Sequence, residues 1–270
     1  MTGILFLIIV FMMVYLVAPR MFGRPDCTAL VAQRFYAHRG LFDNESDAPE
    51  NSMKAFQRAV MAGYGIEMDV QLTKDEQLIV FHDATLKRMC GVDGAVGDYT
   101  WEELSKMQLK GSAEKIPLFA EVLRMVDGKV PLIVEYKMYR PGTKVCELGN
   151  NLLSRYEGVY CIESFHPRAL MWYRKHCPKV VRGQLSGNLA ATTKDWKKKI
   201  LYTFGTYLLN NVFTRPDFVA YDERYVHNFS RKLCNSLGAI SVAYTIRNVQ
   251  RYEEVKSEFD LFIFDSCTLN

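Results

Sequence analysis

The sequence predicts an α/β fold: a (β/α)8 TIM barrel preceded by one N-terminal transmembrane helix. Three observations lead there. Short β-rich runs alternate with helix-like stretches from about Arg34 onward, the pattern of a parallel sheet. Residues 34–270 leave about 240 residues, close to the roughly 250 of a (β/α)8 barrel. Met1 to Pro19 carries no charged side chain, and Ile4–Ala18 is an unbroken apolar run.

At ~1.5 Å per residue, Met1–Pro19 would make a helix of about 28 Å, against a hydrocarbon core of roughly 30 Å. A cleaved export signal would want basic residues before the apolar run, whereas the first charges here, Arg20 and Arg24, follow it. Positive charge after the span favours a cytoplasmic domain. The expectation is therefore a retained single-pass anchor over residues 1–24, a membrane localisation and a cytoplasmic barrel over 34–270.

Candidate strands are 34–37, 65–72, 78–81, 132–136, 159–163, 179–184, 218–221, 240–245 and 261–264. Helical signals fall between them. Ser52–Ala62 has apolar residues at Met53, Phe56 and Val60; Thr100-Trp-Glu-Glu103 is a capping box opening a helix through Met107; Val249–Glu258 precedes the last strand. Nine runs compete for eight barrel places. The Thr73–Gln77 link is too short for a parallel crossover, so either Gln71–Phe81 is a hairpin-like excursion or a later run is not a strand. No composition break or repeat marks a second domain.

Composition narrows the class. With 49% hydrophobic and 24% charged residues the 270-residue chain is neither disordered nor collagen-like, and a mean hydropathy of -0.08 excludes a polytopic membrane protein. Lys+Arg 34 against Asp+Glu 30 is too balanced for a nucleic-acid binder. The seven cysteines, Cys27, Cys90, Cys146, Cys161, Cys177, Cys234 and Cys267, are odd in number and lack a CxxC, so reduced thiols are expected instead of disulfides or a zinc site.

Polar residues inside the strand runs carry the chemistry. Glu67 and Asp69 lie two apart and share a face, as do Glu135 and Lys137. On spacing alone the three acids fit two readings: an oxygen-only site for Mg²⁺ or Ca²⁺ at strand C-terminal ends, or ordinary ion pairs with Lys137 neutralising Glu135. His38 and His82 end two of the runs, where a histidine pair can act as general base and general acid. Arg39 offers a planar fork for phosphate, and Gly40 permits close backbone approach.

Read in order, His38-Arg-Gly40, Pro49-Glu-Asn-Ser52 with Ala55-Phe56, Glu67-Met-Asp69, Thr73-Lys-Asp75, His82-Asp83 with Leu86 and Arg88, Ile116-Pro117 and Glu135-Tyr-Lys137 resemble the glycerophosphodiester phosphodiesterase family. Fainter matches continue through Ser164-Phe165, Gly183 and Thr245. The resemblance implies a barrel that hydrolyses glycerophosphodiesters to glycerol 3-phosphate and an alcohol with one divalent metal ion, Mg²⁺ or Ca²⁺. By matching position it makes Glu67, Asp69 and Glu135 the metal ligands, His38 and His82 the acid–base pair, and Arg39 and Lys137 phosphate contacts. It places Glu50 near the metal or the glycerol hydroxyls. Tyr244-Thr245 and Phe264-Asp265 stand where the family usually has Trp-Thr and Thr-Asp, which bears on substrate specificity. His166, His176 and His227 match no catalytic element and are assigned to surface or packing.

Lys194-Asp-Trp-Lys-Lys-Lys199, followed by Ile200-Leu-Tyr-Thr-Phe204 and Tyr207-Leu-Leu209, reads either as an interfacial helix or as an outer barrel helix with solvated lysines. The expected partners are a small glycerophosphodiester or lysophospholipid and a lipid bilayer. Two rival functions are a lysophospholipase D-type phosphodiesterase and a catalytically silent phospholipid-binding barrel.

Overall fold

The computed structural model describes residues 2–265; Cys267 and the stretch 266–270 of the expected barrel lie outside them. In chain order the first half comprises α1 (Thr2–Val17), α2 (Thr28–Gln33), β1 (Phe35–His38), α3 (Met53–Met61), β2 (Gly65–Leu72), β3 (Leu78–Val80), α4 (Lys87–Cys90), α5 (Trp101–Leu104), α6 (Phe119–Val126) and β4 (Leu132–Tyr136). The second comprises α7 (Lys144–Leu153), β5 (Tyr160–Ser164), α8 (Pro167–His176), β6 (Arg182–Ser186), α9 (Trp196–Thr206), α10 (Asn211–Thr214), β7 (Phe218–Asp222), α11 (Phe229–Ser236), β8 (Ile240–Ile246), α12 (Val249–Val255) and β9 (Leu261–Phe264).

Eight of these strands are parallel and run in the order β1-β9-β8-β7-β6-β5-β4-β2, and pairing of β1 with β2 closes the ring. Strand β3 stands outside it, antiparallel to β2, so Gln71–Phe81 is the hairpin excursion. The Thr73 amide donates to the Gln77 carbonyl, and the Gln77 amide to the Thr73 hydroxyl, which fastens that turn.

Alternation within the strands sorts side chains between two cores. Ile66, Met68, Val70, Leu132, Val134 and Tyr136 face the surrounding helices, whereas Tyr36, Ile133, Cys161, Phe218, Val242 and Leu261 fill the lower barrel. Leu30 of α2 packs against that interior cluster from below. Ser52 caps α3 by accepting from the Ala55 amide, and the Thr100–Glu103 capping box forms as expected. Helix α5 ends at Leu104, short of Met107, where the chain turns into a bridge between Gln108 and Lys115.

The structure corrects the expected membrane anchor over 1–24. Helix α1 has 16 residues, about 24 Å at 1.5 Å per residue, and no helix among the described residues is long and apolar enough to cross a membrane. The single-pass anchor and the membrane localisation built on it are overturned. Two physical reasons shorten the helix. Ala18 precedes Pro19, which disfavours helical backbone. The chain there is also tied to the barrel: Asn211 donates to the Val17 carbonyl at 2.8 Å, and Arg215 to those of Tyr15 and Ala18, both at 2.8 Å. Arg20, expected to flank a span, donates to the Pro178 carbonyl at 2.7 Å.

Candidate active site

Four strands bring their upper inward residues to one level. His38 of β1 lies in register with Glu67 of β2, Asp69 of β2 with Glu135 of β4, and Glu135 with Glu163 of β5. Lys137 follows β4 directly. These positions continue the inward alternation whose lower members are apolar, and in the upper barrel they form a charged cluster.

Glu67, Asp69 and Glu135 are buried, and one carboxylate oxygen from each lies within 4.8 Å of the other two. Around a single cation with ligand distances of ~2.0–2.6 Å, oxygens fall within about 5 Å of one another. The donor set contains only oxygen, which suits a hard divalent ion. Lys137 Nζ reaches Asp69 Oδ1 at 2.9 Å and Glu135 Oε1 at 2.7 Å. Burial would raise the Asp69 carboxyl, but Lys137 and Arg39 hold it well below its ordinary value. Glu67 goes the other way: burial, with Asp69, Glu135 and Glu163 close by, pushes it well up. Burial also raises Glu135, against the opposing pull of Lys137. Crowding of this kind marks a place that gains from a cation.

Each histidine is oriented by a carboxylate. His38 Nδ1 lies 2.7 Å from Asp265 Oδ1, and its Nε2 is 3.8 Å from Glu67 Oε2. His82 Nδ1 lies 2.7 Å from Asp83 Oδ1, and Arg88 holds Asp83 in turn. A carboxylate at Nδ1 places the ring proton there and leaves Nε2 as the working nitrogen. Burial pushes the His38 pKa below the ordinary histidine value, with Asp265 opposing. His38 Nε2 thus faces Glu67, and His82 lines the same cavity as Glu135.

Arg39 binds this layer twice. Its amide donates to Glu67 Oε2 at 3.0 Å, and its guanidinium lies 3.3 Å from Asp69 and 2.6 Å from Glu50. Glu50 is held between two guanidiniums, with Arg88 bidentate at 2.7 Å on both oxygens. Burial opposes its charge, but Arg88 and Arg39 keep the carboxyl at about 2. The structure thus joins Glu50 to the acid cluster through Arg39.

A cavity of about 710 Å³ opens beside the cluster, lined by His82, Glu135 and Lys137 together with Phe165, Leu201 and Phe204. Tyr244 packs its ring edge-on against Phe165 of this lining, and its hydroxyl donates to the Ser186 carbonyl at 2.6 Å. His166 caps α8 by accepting from the Arg168 amide, and His176 stacks on Trp172; His227 is exposed. Sequence reasoning left Asp83, Asp265 and Glu163 without a role. The first two were visible as acids beside a strand end. Glu163 was visible as a charged residue on the inward phase of Tyr160-Cys-Ile-Glu163.

Known proteins resemble this chain in sequence and in fold. A glycerophosphodiester phosphodiesterase of Bacillus altitudinis is 37% identical over 161 residues, 54% of this chain and 64% of that protein. A lysophospholipase D of Rattus norvegicus is 36% identical over 118 residues, 39% of this chain and 36% of that protein. The chain thus spans less than two thirds of the length of these curated relatives. Among solved structures, a phosphodiesterase of Oleispira antarctica in complex with its product sn-glycerol-3-phosphate superposes with a TM-score of 0.68 at 21% identity, over 86% of this chain and 92% of that one. A glycerophosphodiester phosphodiesterase of Thermotoga maritima gives 0.66 at 22% identity, over 86% and 93%. These likenesses show the barrel fold. The glycerophosphoryl diester phosphodiesterase family matches residues 38–265, a span that opens on His38 and closes on Asp265, the carboxylate that orients it, and the chain belongs to that family.

Proposed function

We propose that this protein hydrolyses glycerophosphodiesters to glycerol 3-phosphate and an alcohol, with Glu67, Asp69 and Glu135 holding one divalent ion, Mg²⁺ or Ca²⁺. The observation that carries this reading is the buried carboxylate triad within 4.8 Å, flanked by two histidines each anchored through Nδ1. When bound, a divalent ion supplies Lewis-acid stabilisation of the phosphoryl oxygens. Arg39 and Lys137 add fixed positive charge for the phosphate. One of His38 and His82 takes a proton at Nε2 from the attacking oxygen nucleophile, and the other protonates the leaving alkoxide, with one water consumed over the whole hydrolysis. Glu50 and Asp83 hold Arg39 and His82 in place.

A hydrolysis assay over several glycerophosphodiesters, with and without chelator, tests this. Chelator should abolish turnover, restored by Mg²⁺ or Ca²⁺, and His38→Ala or His82→Ala should each cost roughly 10²–10⁴-fold. Wild-type rates in chelator or in either variant would sink it. Binding of glycerophosphodiesters without turnover would leave a phospholipid-binding barrel in its place.

A second reading, lysophospholipid hydrolysis with release of the head-group alcohol, is favoured by the apolar wall of the cavity. Phe165, Leu201 and Phe204 face the same space as His82 and Glu135, which offers an acyl chain a path from the phosphate site. The exposed Trp196 and Ile200 of α9 extend that wall, so a lipid surface is the partner this reading expects. Phe204→Asp should lower turnover of lysophosphatidylcholine at least about 10-fold and leave glycerophosphocholine within about 2-fold. Equal effects on both substrates would remove this reading.

A further inference from the structure

The carboxylate cluster has a fourth member that the proposed chemistry does not use. Glu163 is 1% exposed, lies in register with Glu135, and its Oε2 has no hydrogen-bond partner. On its other side stands Gly183 of β6, and the Phe218 ring fills the place a side chain there would take. A polar partner is thus excluded from that flank. The nearby cations are committed elsewhere: Lys137 to Asp69 and Glu135, and Arg39 to Glu50 and Asp69. An unpaired carboxylate so deeply buried is costly, and nothing on the protein side compensates it.

We propose that Glu163 is a fourth carboxylate of the divalent-ion centre, acting from outside the inner triad to raise the affinity for the ion. This rests on the metal-centre reading above. Glu163 falls outside the set of oxygens within 4.8 Å, so its part is that of a source of negative charge in register with Glu135. Outer groups of this kind typically change metal affinity 10–100-fold.

The test is binding of Mn²⁺, followed by electron paramagnetic resonance on the full chain, with thermal melting in EDTA and in saturating Mn²⁺. Glu163→Gln keeps the shape and removes the charge. It should weaken Mn²⁺ at least about 10-fold, melt higher than wild type in EDTA, and gain less from Mn²⁺. Glu163→Asp keeps the charge and should stay within about 3-fold of wild-type affinity. Wild-type Mn²⁺ affinity in Glu163→Gln would overturn the proposal. So would an EDTA melting temperature below wild type or a failure to fold, because either assigns Glu163 to a structural contact. Glu67→Gln separates the two layers of the argument. If it retains wild-type Mn²⁺ binding, the metal-centre reading itself falls; if it loses binding while Glu163→Gln does not, this inference alone falls.

Discussion

Glu50 shows how one side chain couples a site to stability. Its carboxyl is depressed from 4.5 to about 2 in spite of burial, because Arg88 and Arg39 bind both oxygens. A depressed acid stabilises the fold above its unfolded pKa and loses that contribution as pH falls through the folded value. The shift corresponds to about 3 kcal/mol, present above about pH 5 and lost on descent towards pH 2. Urea unfolding of wild type and Glu50→Gln across that range should therefore show a gap that is widest near pH 6 and shrinks towards pH 2. A gap independent of pH would show that charge on Glu50 contributes nothing. The residues around it were partly legible in the sequence. His38, Arg39, Glu67, Asp69 and Glu135 stand at strand ends or on inward phases, and that alone marks them. The use of Glu50 as a clamp on Arg39 was not legible, because it depends on Arg88 arriving from α4, thirty-eight residues away.

The loop from β1 to α3 brings the site together at the scale of elements. Gly40 has φ +82, and a Cβ there would lie 2.8 Å from the backbone carbon of Ala55 and 2.9 Å from its oxygen. This close approach presses β1 onto the start of α3, while the Leu41 amide donates to the Ala55 carbonyl at 3.0 Å. Gly40→Ala should cost roughly 2–4 kcal/mol, since strain and overpacking add. Gly63→Ala provides the comparison: its φ is +73 but nothing lies within 4 Å of the new Cβ, so only the backbone cost of about 1 kcal/mol is expected. Chemical denaturation of the pair measures the difference, and equal costs would refute the close-packing explanation. The β2–β3 hairpin belongs to the same scale. The short Thr73–Gln77 link declared it, whereas its effect of carrying His82 to the barrel mouth depends on the antiparallel pairing of Val70 with Val80.

At the scale of the whole molecule, α1 is an appendage with one fixed end. Ile4 to Met13 are exposed along the helix, and burial begins only at Val17. Removing residues 2–13 should therefore move the melting temperature by less than about 2 °C, whereas removing 2–24 also strips the Val17, Asn211 and Arg20 contacts and should lower it by roughly 5 °C or more. Differential scanning calorimetry separates these outcomes, and a large loss from the shorter deletion would mean that the outer turns of α1 support the barrel. The closed ring of parallel strands explains the expected insensitivity, since each barrel strand is paired on both sides without help from α1.

By itself the sequence determined the strand runs, the inward phase of the acids and the order of the elements, because a period of two and the spacing of apolar residues are local properties of the chain. Tertiary structure decided the rest. The apolar character of residues 4–18 was plain, but their contact with α10 and the break at Pro19 were needed to show a 16-residue helix tied to the barrel instead of a span. Tertiary structure also placed Asp265 on His38 across 227 residues, and left Glu163 without a partner beside Glu135. Both facts arise from barrel closure, which sets residues from distant strands at one height, and no local pattern encodes which of them will meet.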